Sequence, residues 1–505
     1  MEAKVRVDAQ AEGHLIPRTI YGHFLEHLGQ CINEGLWTER GGEDLFLGGI
    51  ARPVLEAIRS LRPGLIRYPG GCFADGYHWQ DGIGPREKRP RRPNRMWSRF
   101  GKALGPDDHN HFGTDEFLAL CEELGAEPML TVNVGSGTPE EAAAWVEYCN
   151  GSESTYWGQQ RVMNGRAEPW AVKSWCVGNE MWNPGEFGFC GPSTYAQRLL
   201  RFSSAMRAKD PELRLVAVGL GDPWNWWNRV VLEGVGPHAD YLSIHAYYPA
   251  LFFLNHLVRR DRRRNADSFY WVMAGVEDFG RILDRAGRAC ARHSPPGKPV
   301  RLAFDEWNVW YSLRHIVRSN YGLREGLFAA SVLNLLQRLA EQVPIACIAQ
   351  MVNVLGVVVS DGRQAFLTPT GQVFKLYTEN AGERWLSSEV ECESLARAGK
   401  RLPVLDASAT LDASGERLAL FLVNRHYEQG VTVELELQGC KPGHAATLEW
   451  LYHEDPLARN TFEEPERVAL AREEITLSDP PRVKLPPHSA ACLNLIFGVR
   501  PQILD

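Results

Sequence analysis

Two glutamates in this 505-residue chain stand where side chains do chemistry. Glu180 closes the run Trp175-Cys176-Val177-Gly178-Asn179-Glu180, and Glu306 lies in Phe304-Asp305-Glu306-Trp307-Asn308. Both runs are apolar and strand-like, and each carries its carboxylate at the tip. Burying a carboxylate there is costly unless it is hydrogen-bonded or has work to do. A matched pair therefore suggests one group that moves a proton and one that attacks or activates water. A single such glutamate would be read as a salt-bridged structural residue, with Arg67 as its partner; two in equivalent positions reverse that preference.

The elements that must position them recur along most of the chain. Short apolar runs predict strands at 19–27, 64–71, 128–135, 172–180, 214–221, 241–248, 301–308 and 346–354, alternating with segments of helical period. Helix starts are legible at Thr114, at Thr138 followed by Pro139, and at Ser193. Eight strand and helix alternations in series imply α/β architecture of the (β/α)8 TIM-barrel type, because parallel neighbours need crossover helices and closure removes the sheet's edges. A doubly wound open sheet is the rival. The barrel is assigned to 15–382.

Beyond it the texture changes to alternating strands at 402–411, 417–423, 431–437, 446–452 and 490–497. This predicts a C-terminal antiparallel β-sandwich, jelly-roll-like, over 383–505. It carries no acid pair and is given a structural or assembly role. The opening segment 1–14 alternates as well and is expected to join it.

Composition narrows the function. A net charge of −7 disfavours a chain built to neutralise phosphates or to lie on anionic lipid. The start, Met1-Glu2-Ala3-Lys4-Val5-Arg6, lacks an apolar leader and no apolar stretch is long enough to span a bilayer, so a cytoplasmic location is expected. The 11 cysteines are odd in number and scattered, with no C-x-x-C pair, which fits reduced thiols and no structural metal.

At the carboxyl ends of barrel strands, where such enzymes keep their sites, the sequence places Glu26, His27, Gly70, Gly71, Cys72, Asn133, Asn179, Glu180, Asp222, His245, Tyr247, Glu306, Asn308, Gln350 and Asn353. So many polar tips suit a polyhydroxylated ligand, hence a sugar. Trp79, Trp97, Trp182, Trp307 and Trp310 are either platforms for sugar faces or seals between helices and barrel. Glycoside hydrolysis requires a carboxyl pair of this kind. His245 is read as holding a neighbouring carboxylate or the sugar.

Several blocks together carry a family resemblance. Tyr21-Gly22-His23-Phe24-Leu25-Glu26-His27-Leu28-Gly29, Arg67-Tyr68-Pro69-Gly70-Gly71, the Gly-Asn-Glu block ending at Glu180 and the Asp-Glu-Trp block around Glu306 resemble the glycoside hydrolase family 51 α-L-arabinofuranosidases in order and over nearly the whole chain. The resemblance implies that Glu180 is the general acid/base and Glu306 the nucleophile of a retaining, exo-acting double displacement on arabino-oligosaccharides or arabinoxylan fragments. It implies that Glu26, Cys72, Asn179, Tyr247 and Gln350 line the furanose pocket, that Trp97 borders the next subsite, and that the protein is a homo-oligomer, often a hexamer, without a cofactor. On this reading the negative Glu306 helps keep a proton on Glu180.

Three segments depart from the family pattern: Cys31-Ile32-Asn33-Glu34-Gly35-Leu36-Trp37, the basic loop 86–95, and the long basic segment 251–267. All fall on the active face, where they bear on the aglycone and on the furanose accepted. Rival readings are a same-fold hydrolase of another sugar (galactofuranosidase, xylosidase or endoglucanase), a sugar-binding protein without turnover, and a nucleic-acid binder using the arginine loops. Asp107-Asp108-His109-Asn110-His111 resembles a metal or His-Asn-His nuclease motif but lacks further ligands. The arginines of 86–95 and 259–264, with no interleaved aromatics, are read as solvated loops or subunit contacts.

Overall fold

A computed structural model describes the chain except residues 43, 222, 250–262, 314–315, 318, 398–399, 440–441 and 498–505. Its centre is a closed barrel of eight parallel strands in sequential order: Gly22–Phe24, Leu65–Tyr68, Glu127–Val132, Ser174–Val177, Arg214–Val218, Tyr241–Tyr248, Arg301–Val309 and Ile345–Ala349. The eighth pairs with the first and closes the sheet, so the open-sheet rival is excluded.

The barrel interior is filled by one inward residue or more from every strand, among them Phe24, Leu65, Met129, Cys176, Val216, Tyr241, Ala303 and Cys347. It is a packed core, and the site must therefore sit above it. Most strands end three to five residues earlier than the sequence suggests. The fourth stops at Val177 rather than Glu180, and the eighth at Ala349 rather than Val354. The difference is physical, because at the carboxyl end the backbone leaves the ladder and its side chains turn to the ligand space. Residues 19–21, expected in the first strand, form part of a 3-10 turn at Arg18–Tyr21.

Local chemistry explains the helices. Thr138 caps Pro139–Asn150 by accepting the Glu141 amide at 3.1 Å. Thr114 is the first residue of its helix rather than the cap; Glu116 reaches back to the Gly113 amide at 3.0 Å. The helix assigned to Ser193 starts at Pro192, which fits a first turn because it has no amide to leave unpaired.

The C-terminal region is mostly strand. A seven-stranded sheet contains Leu405–Leu411, Arg417–Asn424, Pro442–Leu451 and Ser489–Phe497; a four-stranded sheet contains Glu2–Asp8 and Val431–Gln438. The opening strand Glu2–Asp8 runs parallel to Val431–Gln438 and antiparallel to Ser388–Cys392. Arg417–Asn424 shows why these strands read as continuous apolar runs. Leu418, Leu420 and Leu422 enter the core shared by the two sheets, while Ala419, Phe421 and Val423 join the barrel core. Phe421 stacks on Tyr377 of the helix Pro369–Asn380 at 4.2 Å between ring centroids.

The run 402–411 is two strands, Lys400–Pro403 and Leu405–Leu411, since Pro403 cannot donate to a ladder. Arg384–Leu386, Leu470–Thr476 and Arg482–Leu485 are strands the pattern did not reveal. Leu470–Thr476 is a charged, exposed edge with no apolar face to announce it.

Candidate active site

Glu180 and Glu306 face one another across His245. His245 Nδ1 lies 2.9 Å from Glu180 Oε1 and 3.6 Å from Glu306 Oε2. Ligand-competent atoms of these three residues all fall within 4.8 Å of one another. Glu180 is placed there by a backbone that turns off the fourth strand through Gly178, at φ 84°, and is itself held at φ 38°. A left-handed non-glycine residue costs about 1–3 kcal/mol and persists only where its surroundings fix it.

Glu306 is gripped from two sides. Arg67 Nη1 donates to Oε1 at 2.6 Å and the Tyr247 hydroxyl to Oε2 at 2.8 Å. Arg67 is 1% exposed and also donates to Asn179 Oδ1 at 2.8 Å, with its Nε 3.4 Å from Asp305. The salt bridge foreseen as the bland reading of one glutamate is thus real, and it holds Glu306 in place with both oxygens directed. Gly70 and Gly71 make room for this packing. A Cβ on Gly71 would come within 2.5 Å of Glu306 Oε1, and one on Gly70 within 2.6 Å of Glu26 Cγ.

Glu26 forms the opposite wall. It accepts from the Phe73 amide and the Trp97 indole, both at 3.0 Å, and from Gln350 Nε2 at 2.9 Å. Asn179 Nδ2 points to Cys72 Sγ at 3.8 Å. Arg67, Asn179, Cys72, Glu306, Tyr247, His245 and Glu180 are joined by direct contacts, and Glu26, Gln350 and Trp97 form a second set beside them, coupled to Glu306 through charge.

Electrostatics divide these groups. Burial works against charge on His245, but Glu306 and Asp305 outweigh it and push the imidazole up to about 10. Burial likewise opposes ionisation of Glu180, yet the hydrogen bond and charge of His245 hold it below the ordinary carboxylate range. Both directions run against the expectation that Glu306 keeps a proton on Glu180, because the imidazole beside Glu180 favours its ionised form. Asp305 is fully buried and held down at about 2 because Arg67 and His245 overcome desolvation. Glu26 is raised to about 7 by burial and then by the charge of Glu306.

Other strand-tip residues serve the scaffold. His27 pairs with Asp108 at 3.2 Å and reaches the Tyr68 hydroxyl at 3.3 Å, so it stands behind the pocket, and the apparent metal motif around Asp108 is spent on loop structure. Asn133 and Asn353 hold turns through backbone hydrogen bonds, and Asn308 ties the Ala349 and Leu355 carbonyls. Trp79 lies parallel to Trp145 at 6.0 Å and Trp307 is buried against Phe304 and Phe374; both seal helices onto the barrel. Trp182 donates to the Gly219 carbonyl, and Trp310 meets Tyr247 edge-on. Asp222 lies outside the described residues, as does most of 251–267.

The basic loop 86–95 is solvent-exposed at Lys88, Arg91, Arg92 and Arg95 and is tied to the barrel by some of its arginines. Arg89 chelates Glu116 at 2.9 Å with both terminal nitrogens, Arg86 adds a contact to the same carboxylate, and Arg92 chelates Asp81. These ion pairs pin the loop, with the Arg89 side chain itself buried. Of the second basic segment, Arg259 lies outside the described residues, whereas Arg264 pairs with Asp455 at 3.0 Å.

Sequence reasoning missed Glu186. It follows the fourth strand in the loop Asn183-Pro184-Gly185-Glu186, where no periodicity marks it, yet it is only 5% exposed and its carboxyl approaches Cys72 and Glu180. Burial, then the charges of Asp75 and Glu180, push it up to about 10. Cys72–Glu180–Glu186 and Glu180–His245–Glu306 are the two sets that bring metal-ligating atoms within 4.8 Å among the described residues.

Comparison with known proteins agrees with this geometry. Residues 57–265 match the model of the α-L-arabinofuranosidase 1 domain and 305–489 that of the α-L-arabinofuranosidase C-terminal domain. The chain is 34% identical to an intracellular exo-α-L-arabinofuranosidase of Bacteroides ovatus, covering 98% of this chain and 95% of that one. It is 30% identical to an intracellular exo-α-(1->5)-L-arabinofuranosidase 1 of Bacillus subtilis, over 91% and 92%. An arabinose complex of α-L-arabinofuranosidase from Thermotoga maritima superposes with a TM-score of 0.88 at 33% identity, covering 98% of this chain and all (100%) of that one. The GH51 α-L-arabinofuranosidase of Thermotoga petrophila gives 0.83 at 33%, with the same coverage. By sequence along its whole length and by fold, this chain belongs to the α-L-arabinofuranosidases of glycoside hydrolase family 51.

Proposed function

We propose that the protein is a retaining, exo-acting α-L-arabinofuranosidase that releases terminal arabinofuranosyl residues from arabino-oligosaccharides or arabinoxylan fragments. The observation that carries this reading is the Glu180 and Glu306 pair, one carboxylate oxygen of each lying within 4.8 Å of the other, Glu180 just beyond the fourth barrel strand and Glu306 in the carboxyl half of the seventh. Retaining enzymes need about 5 to 5.5 Å between carboxyl groups, whereas inverting ones leave about 6.5 to 9.5 Å for a water.

Glu306, aimed by Arg67 and Tyr247, attacks the anomeric carbon. Glu180 protonates the departing oxygen, and the proton reaches its Oε1 from His245 Nδ1 along their 2.9 Å contact. Water then attacks the glycosyl ester while Glu180 takes its proton, and the proton returns to His245. Asn179, Glu26 and Gln350 supply donors and acceptors for the sugar hydroxyls, Cys72 lines the furanose, and Trp97 borders the leaving group. Proton NMR of the first-formed sugar tests the scheme. Retention of anomeric configuration is expected, and an inverted first product would exclude it.

The names of the relatives support a cytoplasmic location, and no helix among the described residues is long and apolar enough to cross a membrane. We assign the catalytic domain to 15–382 and a β-sandwich to 383–505 completed by 1–14, supported by the separate core of the two C-terminal sheets. The resemblance also supports a homo-oligomer, a hexamer included, which light scattering after size exclusion would test.

A further inference from the structure

Glu26, Glu180, Asp305 and Glu306 each have both carboxylate oxygens engaged by protein groups. Glu186 is different. It is more than nine-tenths buried, and neither of its oxygens has a hydrogen-bond partner among the described residues. Leaving a buried carboxyl without partners is costly, so such a group calls for a partner.

The direction in which it points is informative. One Glu186 oxygen, Cys72 Sγ and one Glu180 oxygen all lie within 4.8 Å of one another, and Cys72 and Glu180 are partly accessible while Glu186 forms the floor. The groups around the cluster are mostly acidic. Besides burial, the charges acting most strongly on the Cys72 thiol are Glu186, Glu180, Glu26 and Glu306, all acidic. Those on Glu186 are Asp75, Glu180 and Glu26. The second triad, Glu180–His245–Glu306, offers a cation far less: His245 is held protonated, and the Arg67 guanidinium sits 2.6 Å from Glu306.

We propose that Cys72, Glu180 and Glu186 form an inhibitory site for a thiophilic divalent cation, of which Zn2+ is the type. One thiolate and two carboxylates make a three-protein-ligand zinc set with a fourth position open to the pocket. Mg2+ and Ca2+ prefer more oxygen ligands and no sulfur, so the thiol sets the selectivity. Zinc bonds of about 2.0–2.3 Å bring tetrahedral ligand atoms closer together than they stand here. Glu186 can move inward, since its polar neighbour there, the Cys72 thiol, is itself a ligand of the proposed site. Binding displaces the proton of the Cys72 thiol and that of the Glu186 carboxyl, which burial and neighbouring acids keep in place at neutral pH. The bound cation holds Glu180 by the lone pairs needed for proton transfer and occupies space beside the furanose. Binding is a property of the three side chains alone; only the inhibition rests on Glu180 acting as acid/base.

The test uses the full-length protein freed of metal. ZnCl2 is titrated calorimetrically with MgCl2 as the hard-cation control, while hydrolysis of an aryl α-L-arabinofuranoside is followed in parallel. Expected are one Zn2+ per chain at micromolar or tighter affinity, no binding of Mg2+, proton release visible as a dependence of the heat on the buffer, and tighter binding at pH ~8 than at pH ~6. Glu186→Gln, an isosteric change, and Cys72→Ser should each weaken Zn2+ by about tenfold or more, with circular dichroism showing that the fold is kept. Unchanged Zn2+ affinity in both variants, or binding to the wild type only at millimolar concentration, overturns the site. Zinc that binds without slowing turnover overturns its inhibitory role. Calorimetry needs no substrate, so a failure to hydrolyse any aryl furanoside would count against the proposed function and leave the metal measurement intact.

Discussion

The barrel mouth and the core between the C-terminal sheets solve opposite problems with the same chain. At the mouth, Arg67, Asp305, Glu306, His245, Glu26 and Glu180 crowd into one network, with Arg67 and Asp305 almost wholly removed from water. Between the sheets, Leu405, Leu418, Leu420, Leu422, Val433 and Leu493 pack with no charge among them, and ion pairs such as Lys4 with Glu434 stay outside. Buried ions rarely gain net stability over apolar packing of the same volume. The mouth therefore gives up stability for orientation, and the sheets supply it without taking part in chemistry.

The sharpest way to break that division is to remove the two glutamates in turn. Glu306→Ala should lower kcat by about 10^4-fold or more with every substrate, because no other carboxylate is aimed by both Arg67 and Tyr247. Glu180→Ala should spare aryl glycosides with good leaving groups and cripple natural linkages, which need the proton. Steady-state kinetics on a leaving-group series decides it. Equal losses across the series would remove Glu180 from the acid role. Neither change should unfold the C-terminal core.

Arg67→Ala should damage both regions' currencies at once. It strips the partner from Asp305 and Glu306 inside a closed barrel, and leaving buried charges unpaired costs about 3–5 kcal/mol. Chemical denaturation should show that loss, together with a fall in kcat as Glu306 loses its aim. Normal stability with low activity would mean that the site rehydrates or the acids take up protons without strain.

The contrast also explains what was legible in the sequence. The barrel could be read because each strand is an apolar run ending in a polar tip, and Glu180 and Glu306 stood out because carboxylates at such tips are anomalous. Leu405–Leu411 and Arg417–Asn424 were visible as apolar runs, although period alone does not say that one face of Arg417–Asn424 belongs to the barrel. Leu470–Thr476 was hidden because an exposed edge strand needs no apolar face. Glu186 was hidden because burial in an irregular loop leaves no period, and Arg89 looked like surface because its partner, Glu116, is 27 residues away in sequence. The protonation of the mouth was out of reach as well. Whether His245 or Glu180 holds the proton depends on distances to Asp305 and Glu306 that spacing cannot supply.

Leu420→Ala tests the other half of the comparison. The side chain is fully buried between the sheets, and its truncation should cost about 2–5 kcal/mol. Calorimetry should show the lower melting temperature, while kcat and KM at a permissive temperature stay at wild-type values. A change in kcat would show that the sheets help shape the mouth, through Phe421 and Tyr377 on the opposite face of the same strand.

The smallest expected effect is in pH, and it separates the two regions by slope. His245 is held at about 10, above its ordinary value of 6.5, so its ion pairs contribute fully below pH 6.5 and are lost as pH rises through 10. Glu26, raised to about 7 from 4.5, and Glu186, raised to about 10 from 4.5, act in the same direction between those values, since the folded state resists their ionisation. Asp305, held at about 2, contributes above its ordinary 3.8 and loses that only as pH falls through 2. The melting temperature should therefore decline from neutral toward alkaline pH. His245→Gln should flatten that decline, because the titrating imidazole is gone. Leu420→Ala should lower the whole curve and keep its slope, because nothing in the leucine core titrates. If His245→Gln kept the wild-type slope, the alkaline loss would arise from Glu186 rather than from His245.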